Sequence, residues 1–234
     1  MPLIREIGGS GFVRAGRHRK TLRADLTDGV KPSWLTEEAG TGTFAYTALS
    51  ATSPGTAAIT NAGTTAAAWN GTEIDLSQPW IRAAWFTIFN AKITRANSGA
   101  HLSIDFGLRS VGSAVAGARV LTNFPPVAWP IVDCLAGGAA LGSHELRMPW
   151  GSRASATAIT LQGDSPRDLT MHIDTRDKTV SILMDDQVIY SRQRSDLVLG
   201  VVRPRLAMAK TGATTGDRVL TVTGFEMGIE TNGT

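Results

Sequence analysis

Glu73 and Asp75, in the stretch EIDLSQ, stand two residues apart. In an extended chain that spacing points both carboxylates to one face. Two carboxyl groups roughly 5–5.5 Å apart can cleave a glycosidic bond with retention, one as nucleophile and one as acid/base. No further carboxylate follows within reach in this stretch. Asp75 followed by Ser77 reads equally well as a turn or a cap at a strand end.

Other chemistries have less to stand on. His18, His101, His144 and His172 are far apart, with no paired His or Cys spacing of the kind that holds a transition metal. No phosphate-binding glycine loop and no nucleophile-elbow serine is present. Cys134 is the one cysteine, so no intrachain disulfide forms, and it reads as a small buried hydrophobe. Asp174, Asp177, Asp185 and Asp186 offer hard oxygens that suit calcium, but turn aspartates usually bond their own backbone instead. No metal and no cofactor is expected. For ligand contact the candidates are Trp129, Trp150 and Arg153, aromatic platforms and a donor in an irregular stretch where loops carry function. Trp34, Trp69, Trp80 and Trp85 lie in or beside strand candidates and are expected in the core.

The elements that position these groups read as strands. Leu169, Met171 and Ile173 alternate with polar residues, and Val180, Ile182 and Met184 repeat the pattern after the turn formers DTRDK. Period two marks a half-buried strand, so the pair is a hairpin, and DDQ at 185–187 turns it into a third strand at 188–190. Further strands are predicted near 19–26, 43–49, 56–60, 65–69, 80–93, 100–108 and 157–161. Segment 80–93 is apolar enough for a central strand buried on both faces. Near the C-terminus the apolar parity changes around Gly224, which predicts a bulge. Gly and Pro interrupt nearly every window long enough for a helix.

The organisation follows. A chain of 234 residues suits one large all-β domain. Residues 1–18 read as an arm with a flexible GGSG, and 19–234 as the domain, with 109–165 as a loop-rich irregular segment. The net charge of +3 is uneven: residues 1–23 carry a surplus of five positive charges and the rest carries −2. Arg5, Arg14, Arg17, Arg19 and Lys20 are therefore candidates for docking the arm on an acidic protein surface, the alternative being a solvated first strand. Only Phe12 interleaves with these cations, which argues against a nucleic-acid platform. No apolar stretch reaches the length of a membrane span, and no secretory leader is expected.

The run RADLTDGVKPSW, then GTAAIT and GTEIDLS, then LTMHIDTRDKTVSILMDDQVIY and LTVTGFEMGIE, resembles the concanavalin A-like jelly roll over most of 19–230. That resemblance implies an antiparallel two-sheet sandwich. Some members carry an alternating Glu, Asp, Glu signature on one strand. Against it Glu73 matches the nucleophile and Asp75 the supporting acid, but Gln78 stands at the acid/base position and cannot donate a proton and recover it. A non-enzymatic role is expected. The Gly-, Ala- and Thr-rich style is similar to minor tail and adhesin-type proteins of bacteriophages. It implies a virion protein, made in the host cytoplasm, for a tail tip or capsid surface. Its expected partners are other virion proteins, further copies of itself and host cell-wall glycan; a free carbohydrate-binding module is the alternative.

Overall fold

The computed structural model describes residues 17–61, 66–95, 101–110, 131–134, 144–147, 157–159, 166–193, 199–211 and 218–232. Among them are seventeen strands and no helix. In chain order these are β1 (Arg17–Ala24), β2 (Thr36–Glu38), β3 (Gly42–Thr47), β4 (Thr56–Asn61), β5 (Ala67–Asn70) and β6 (Ile74–Asp75). Next come β7 (Ile81–Arg95), β8 (His101–Ser110), β9 (Ile131–Cys134), β10 (His144–Arg147), β11 (Thr157–Ile159) and β12 (Arg167–Asp174). The last are β13 (Thr179–Met184), β14 (Gln187–Gln193), β15 (Val201–Thr211), β16 (Arg218–Val222) and β17 (Gly224–Asn232). Six strands predicted between 19 and 108 all form, with ends moved by at most two residues.

The strands make two antiparallel sheets. The first runs β14-β13-β12-β7-β16-β4-β3, with β17 also on β7 and β1 on β17. The second runs β11-β10-β9-β8-β15-β5-β2, with β6 on β15. Alternation puts Phe86, Ile88, Met171, Ile173 and Phe225 of the first sheet against Trp69, Phe106, Leu206 and Met208 of the second. Burying each such side chain contributes about 1.5–3 kcal/mol. The rings of Trp69 and Phe225 meet edge-on at 5.2 Å, and those of Phe86 and Phe106 lie 5.6 Å apart, so both pairs bridge the sheets. One polar group also crosses: fully buried Asn61 donates through Nδ2 to the Met208 carbonyl at 3.0 Å.

Strand β7 is the axis of the first sheet. It pairs with β12 along one side and with β17 and then β16 along the other. It is buried on both faces at Ala83, Ala84, Phe86, Thr87 and Ile88, as its apolar run predicts. The bulge expected at Gly224 is not what reverses the parity. Leu220 lies opposite Ile93 and Phe225 opposite Ile88, so the register with β7 is kept across the break. Both strands turn over together, β7 at Asn90 and its partner at Thr223. Asn90 takes a φ of 50°, which asparagine tolerates better than most residues. Its Nδ2 donates to Thr223 Oγ1 at 2.8 Å, and Thr223 N donates to the Phe89 carbonyl at 2.9 Å. Register shifts on β7 fall elsewhere, between Arg167 and Leu169 of β12 and between Glu230 and Thr231 of β17.

The meander forms as its pattern requires. Met184 and Gln187 pair across a two-residue loop whose members, Asp185 and Asp186, have φ of 50° and 63°. That is the mirror-image turn that matches strand twist. Asp174 closes the other loop by accepting from the N–H groups of Arg176 and Asp177. The four turn aspartates therefore do not cluster. The two loops lie at opposite ends of six-residue β13, roughly 20 Å apart at the usual rise. Among the described residues no group of three His, Cys, Asp or Glu side chains could hold a metal.

Candidate functional site

The stretch that invited a catalytic reading is a turn. Asp75 ends β6 and accepts hydrogen bonds from Ser77 N at 3.0 Å, Ser77 Oγ at 2.6 Å and Gln78 Nε2. These bonds hold its carboxyl below the usual carboxylate range. Ile81 N then donates to the Gln78 carbonyl, and the chain enters β7. Glu73 pairs with Arg203 of β15. Asp75 is engaged by its turn and Glu73 by Arg203, which is the structural alternative the sequence offered.

That turn borders a pocket of about 320 Å³ at one end of the sandwich. Leu76 and Ile81 give it a buried apolar side. Gln78 comes from the turn, Arg82 from the start of β7, Arg176 from the β12–β13 loop, and Asn232 from the end of β17. The strands explain why these meet. Thr175 N donates to the Arg82 carbonyl at 2.8 Å, and Thr175 Oγ1 reaches the carbonyls of Ile81 and Arg82 at 2.6 and 2.9 Å. Asn232 N donates to the Trp80 carbonyl, and Asn232 Nδ2 to the Pro79 carbonyl at 3.3 Å. Trp80, between lining residues Pro79 and Ile81, leaves half of its surface (51%) in solvent. The core position expected for it is wrong: it sits in a turn ahead of the strand, where no second sheet covers it.

A second pocket, of about 300 Å³, lies between the end of β1 and the loop at 25–34. Asp28 accepts from Val30 N there, and Gly29, at φ +66°, leaves no room for a Cβ beside Ala48 N. Arg23 is paired with Asp25 at 2.7 Å. Trp34 lines this pocket while packing partly on the core. With Arg23 and Asp25 spent on each other, it offers a ligand less than the first pocket does.

The outer faces of the sheets carry the remaining charges. On the second, Arg205 of β15 is 4% exposed and bonds Glu38 and, at 2.9 Å, Asn70 Oδ1. Burial alone would raise the Glu38 carboxyl. The hydrogen bond and charge of Arg205, helped by Asn70 and Arg109, hold it below the usual range instead. On the first sheet, Trp85 lies against Gly228, donates to Glu226 at 2.9 Å and sits under Arg19. The core position expected for Trp85 is therefore corrected to the outer face. Trp69 is fully buried as expected.

Of the ligand candidates named from sequence, Trp129, Trp150 and Arg153 lie outside the described residues, as do Arg5 and Arg14 of the arm. The Cys134 side chain does too. Arg17, Arg19 and Lys20 stand in β1, paired with Asn232, Glu230 and Ile229. Arg19 lies 3.5 Å from Glu230. Arg82, Arg176 and Asn232 went unnoticed because they are about 60 to 150 residues apart and only the pairing of β7, β12 and β17 joins them. The local signal was Pro79-Trp80, a tryptophan beside a turn former rather than inside an alternating run.

No family model matches the chain, and no curated protein does. Solved structures do. The carbohydrate recognition domain of Emp47p is similar over 96% of this chain and all of that one, with a TM-score of 0.60 and 11% identity. Crh5 transglycosylase in complex with NAG is similar over 88% of this chain and 83% of its own, at 0.56 and 13%. The Lotus tetragonolobus seed lectin is similar over 92% and 99%, at 0.54 and 11%. At such identities the likeness concerns architecture, and with the sheet order above it establishes the fold: this chain is an all-β, antiparallel, two-sheet jelly roll of the concanavalin A-like, lectin-like kind.

Proposed function

We propose that the chain is a non-catalytic glycan-binding module whose ligand lies in the pocket between the β6–β7 turn, the β12–β13 loop and Asn232. The observation that carries this is a pocket lined by Gln78, Arg82, Arg176 and Asn232, with exposed Trp80 in the turn between two of its lining residues, Pro79 and Ile81. Sugar rings combine apolar C–H faces with a rim of hydroxyls, and an aromatic side chain beside planar polar groups complements both. The names of the similar structures, a carbohydrate recognition domain and a seed lectin, point to the same ligand class. Crh5 is named as an enzyme of similar fold. Acid catalysis needs a carboxyl that keeps its proton near neutral pH. Glu38 is held ionised by Arg205, and Asp75 is held ionised by its turn. Neither carboxyl lines this pocket, and none of its lining residues is acidic, so we read it as a site that binds without turnover.

The reading extends to a setting: the surface of a virion, with a phage tail tip as its first form. There the basic residues of the N-terminal segment would dock on a neighbouring protein, and several copies would multiply a weak affinity. Affinity electrophoresis through gels containing mannan, arabinogalactan, laminarin or polygalacturonate tests the module. Retardation of the wild type, lost in Trp80→Ala at unchanged melting temperature, is the expected result. Equal retardation of the variant moves the site elsewhere. Immunogold labelling of purified particles tests the setting: label at the tail tip supports attachment, label over a capsid makes it a decoration protein, and unlabelled particles leave a free module.

A further inference from the structure

The lining of the pocket beside Trp80 is specific about charge. Its polar groups are Ser77, Gln78, Arg82, Thr175, Arg176 and Asn232, two cations with no acidic side chain among them. Gln78 spends one of its two amide N–H bonds on Asp75, and Asn232 spends one of its own on the Pro79 carbonyl. Ser77 and Thr175 have also given their hydroxyl hydrogens to partners, Asp75 and the carbonyls of Ile81 and Arg82. The charged donors in the pocket are the two guanidinium groups. Arg82 forms no ion pair with any described residue. Arg176 has Asp177 at 3.5 Å, a long contact between side chains that are both more than half exposed. Such a pair contributes little and yields readily to a better acceptor.

We infer that this pocket takes an acidic glycan, one bearing carboxylate or phosphate, and the inference rests on the glycan-binding reading above. A guanidinium presents its donors as a planar fork that matches a carboxylate or phosphate with two parallel bonds. A site for neutral sugar would need acceptors for hydroxyl hydrogens, and carboxylate side chains, the strongest acceptors, are missing from this lining. The backbone that carries the two arginines is held in place before any ligand arrives. Thr175, between them in space, ties its loop to the Arg82 carbonyl, and Asp174 fixes the loop by accepting from Arg176 N at 2.9 Å. Little ordering of the backbone then opposes binding. The arginines select the charge.

The test is titration calorimetry of the whole chain at low salt with three polymers and a neutral control. These are polygalacturonate, its fully methyl-esterified form, a glycerol-phosphate teichoic acid, and mannan. Polygalacturonate or teichoic acid should bind at least about tenfold more tightly than the methyl ester and mannan, the loss expected when a charge-assisted bond is removed. Arg82→Gln and Arg176→Gln should each remove about that factor. Binding of polygalacturonate alone identifies the carboxylate as the recognised group, and binding of teichoic acid alone identifies the phosphate. Binding of mannan or the methyl ester as tight as that of the acidic polymers, unchanged in both arginine variants, overturns the inference and leaves the glycan-binding reading standing. Binding of no polymer overturns both.

Discussion

The outer faces of the two sheets solve one problem in opposite ways. Each has to carry arginines on a surface of alternating residues. On the first sheet Arg19 sits 5.5 Å from the centre of the Trp85 ring and Arg23 sits 4.6 Å from that of Phe89. Both face carboxylates across the strand pair, Glu230 and Glu226. Hydroxyl pairs continue the rows, Thr87 with Thr170 at 2.8 Å and Ser181 with Ser191 at 2.9 Å. These are directly opposed cross-strand pairs, each contributing a few tenths of a kcal/mol up to about 1. On the second sheet Arg205 is sealed from solvent and held by Glu38 and Asn70. One face is a sum of small exposed terms. The other buries two guanidinium groups, Arg205 and Arg109, and losing Arg205 from its bonds with Glu38 and Asn70 is costly.

The largest expected effect is therefore on the second face. Arg205→Met keeps an unbranched, flexible stem and removes the guanidinium with its charge. It should destabilise the domain by about 3 kcal/mol, the low end for breaking a buried ion pair, because Glu38 is partly exposed. Urea denaturation measures it. A loss under about 1 kcal/mol would make the two faces alike. The same variant has a pH signature. The folded Glu38 carboxyl titrates below the ordinary value of 4.5, so in that window the unfolded chain binds more protons. The stability it contributes is present above about 4.5 and is lost as pH falls through the folded value. Arg205→Met should flatten that acid limb.

The first face has one point where packing is tight. A Cβ at Gly228 would lie 2.3 Å from Trp85 Cζ2 and 2.6 Å from Cε2. The indole cannot swing aside cheaply, because its N–H is bonded to Glu226 and Arg19 lies over it. Gly228→Ala should cost about 2 kcal/mol, within the usual range for overpacking. Adding Trp85→Val should restore part of the loss, since the small side chain leaves space. A Gly228→Ala variant as stable as the wild type would mean that the ring is not pinned, and that even its tightest contact is a weak one.

How much of this was readable beforehand depends on range. The meander was legible because Leu169, Met171, Ile173, Val180 and Ile182 carry their burial in a period of two, and the loop at 185–186 is made of residues that tolerate positive φ. Trp69 was legible for the same reason. The turnover at Asn90 and Thr223 was half legible: the parity change shows in the sequence, but the matching change in β7 is 133 residues away. Trp80 and Trp85 were misplaced because composition cannot tell which face of a strand, or which side of its first residue, meets the other sheet. The pocket was not legible. Arg82, Arg176 and Asn232 acquire meaning only when strand pairing sets them side by side.

The smallest effect separates the faces by pH. His172 of β12 stands between Trp85 and Ser181 on the first face. Burial lowers its pKa below 6.5; Asp174 and Glu230 draw it upward and Arg19 adds to the lowering. The folded value is depressed, so the unfolded chain binds the proton first as the solution is acidified. Stability from keeping His172 neutral is present above about 6.5 and fades as pH falls toward the folded value, well above the window of Glu38. His172→Gln keeps a polar side chain and cannot titrate. It should change stability by less than about 1 kcal/mol at pH 7.5, and it should remove the decline that sets in as pH falls through about 6.5 while leaving the limb below 4.5 intact. If that upper decline persists in the variant, another group on the first face titrates there. If both limbs vanish together, the two faces unfold as one electrostatic unit and the contrast between them fails.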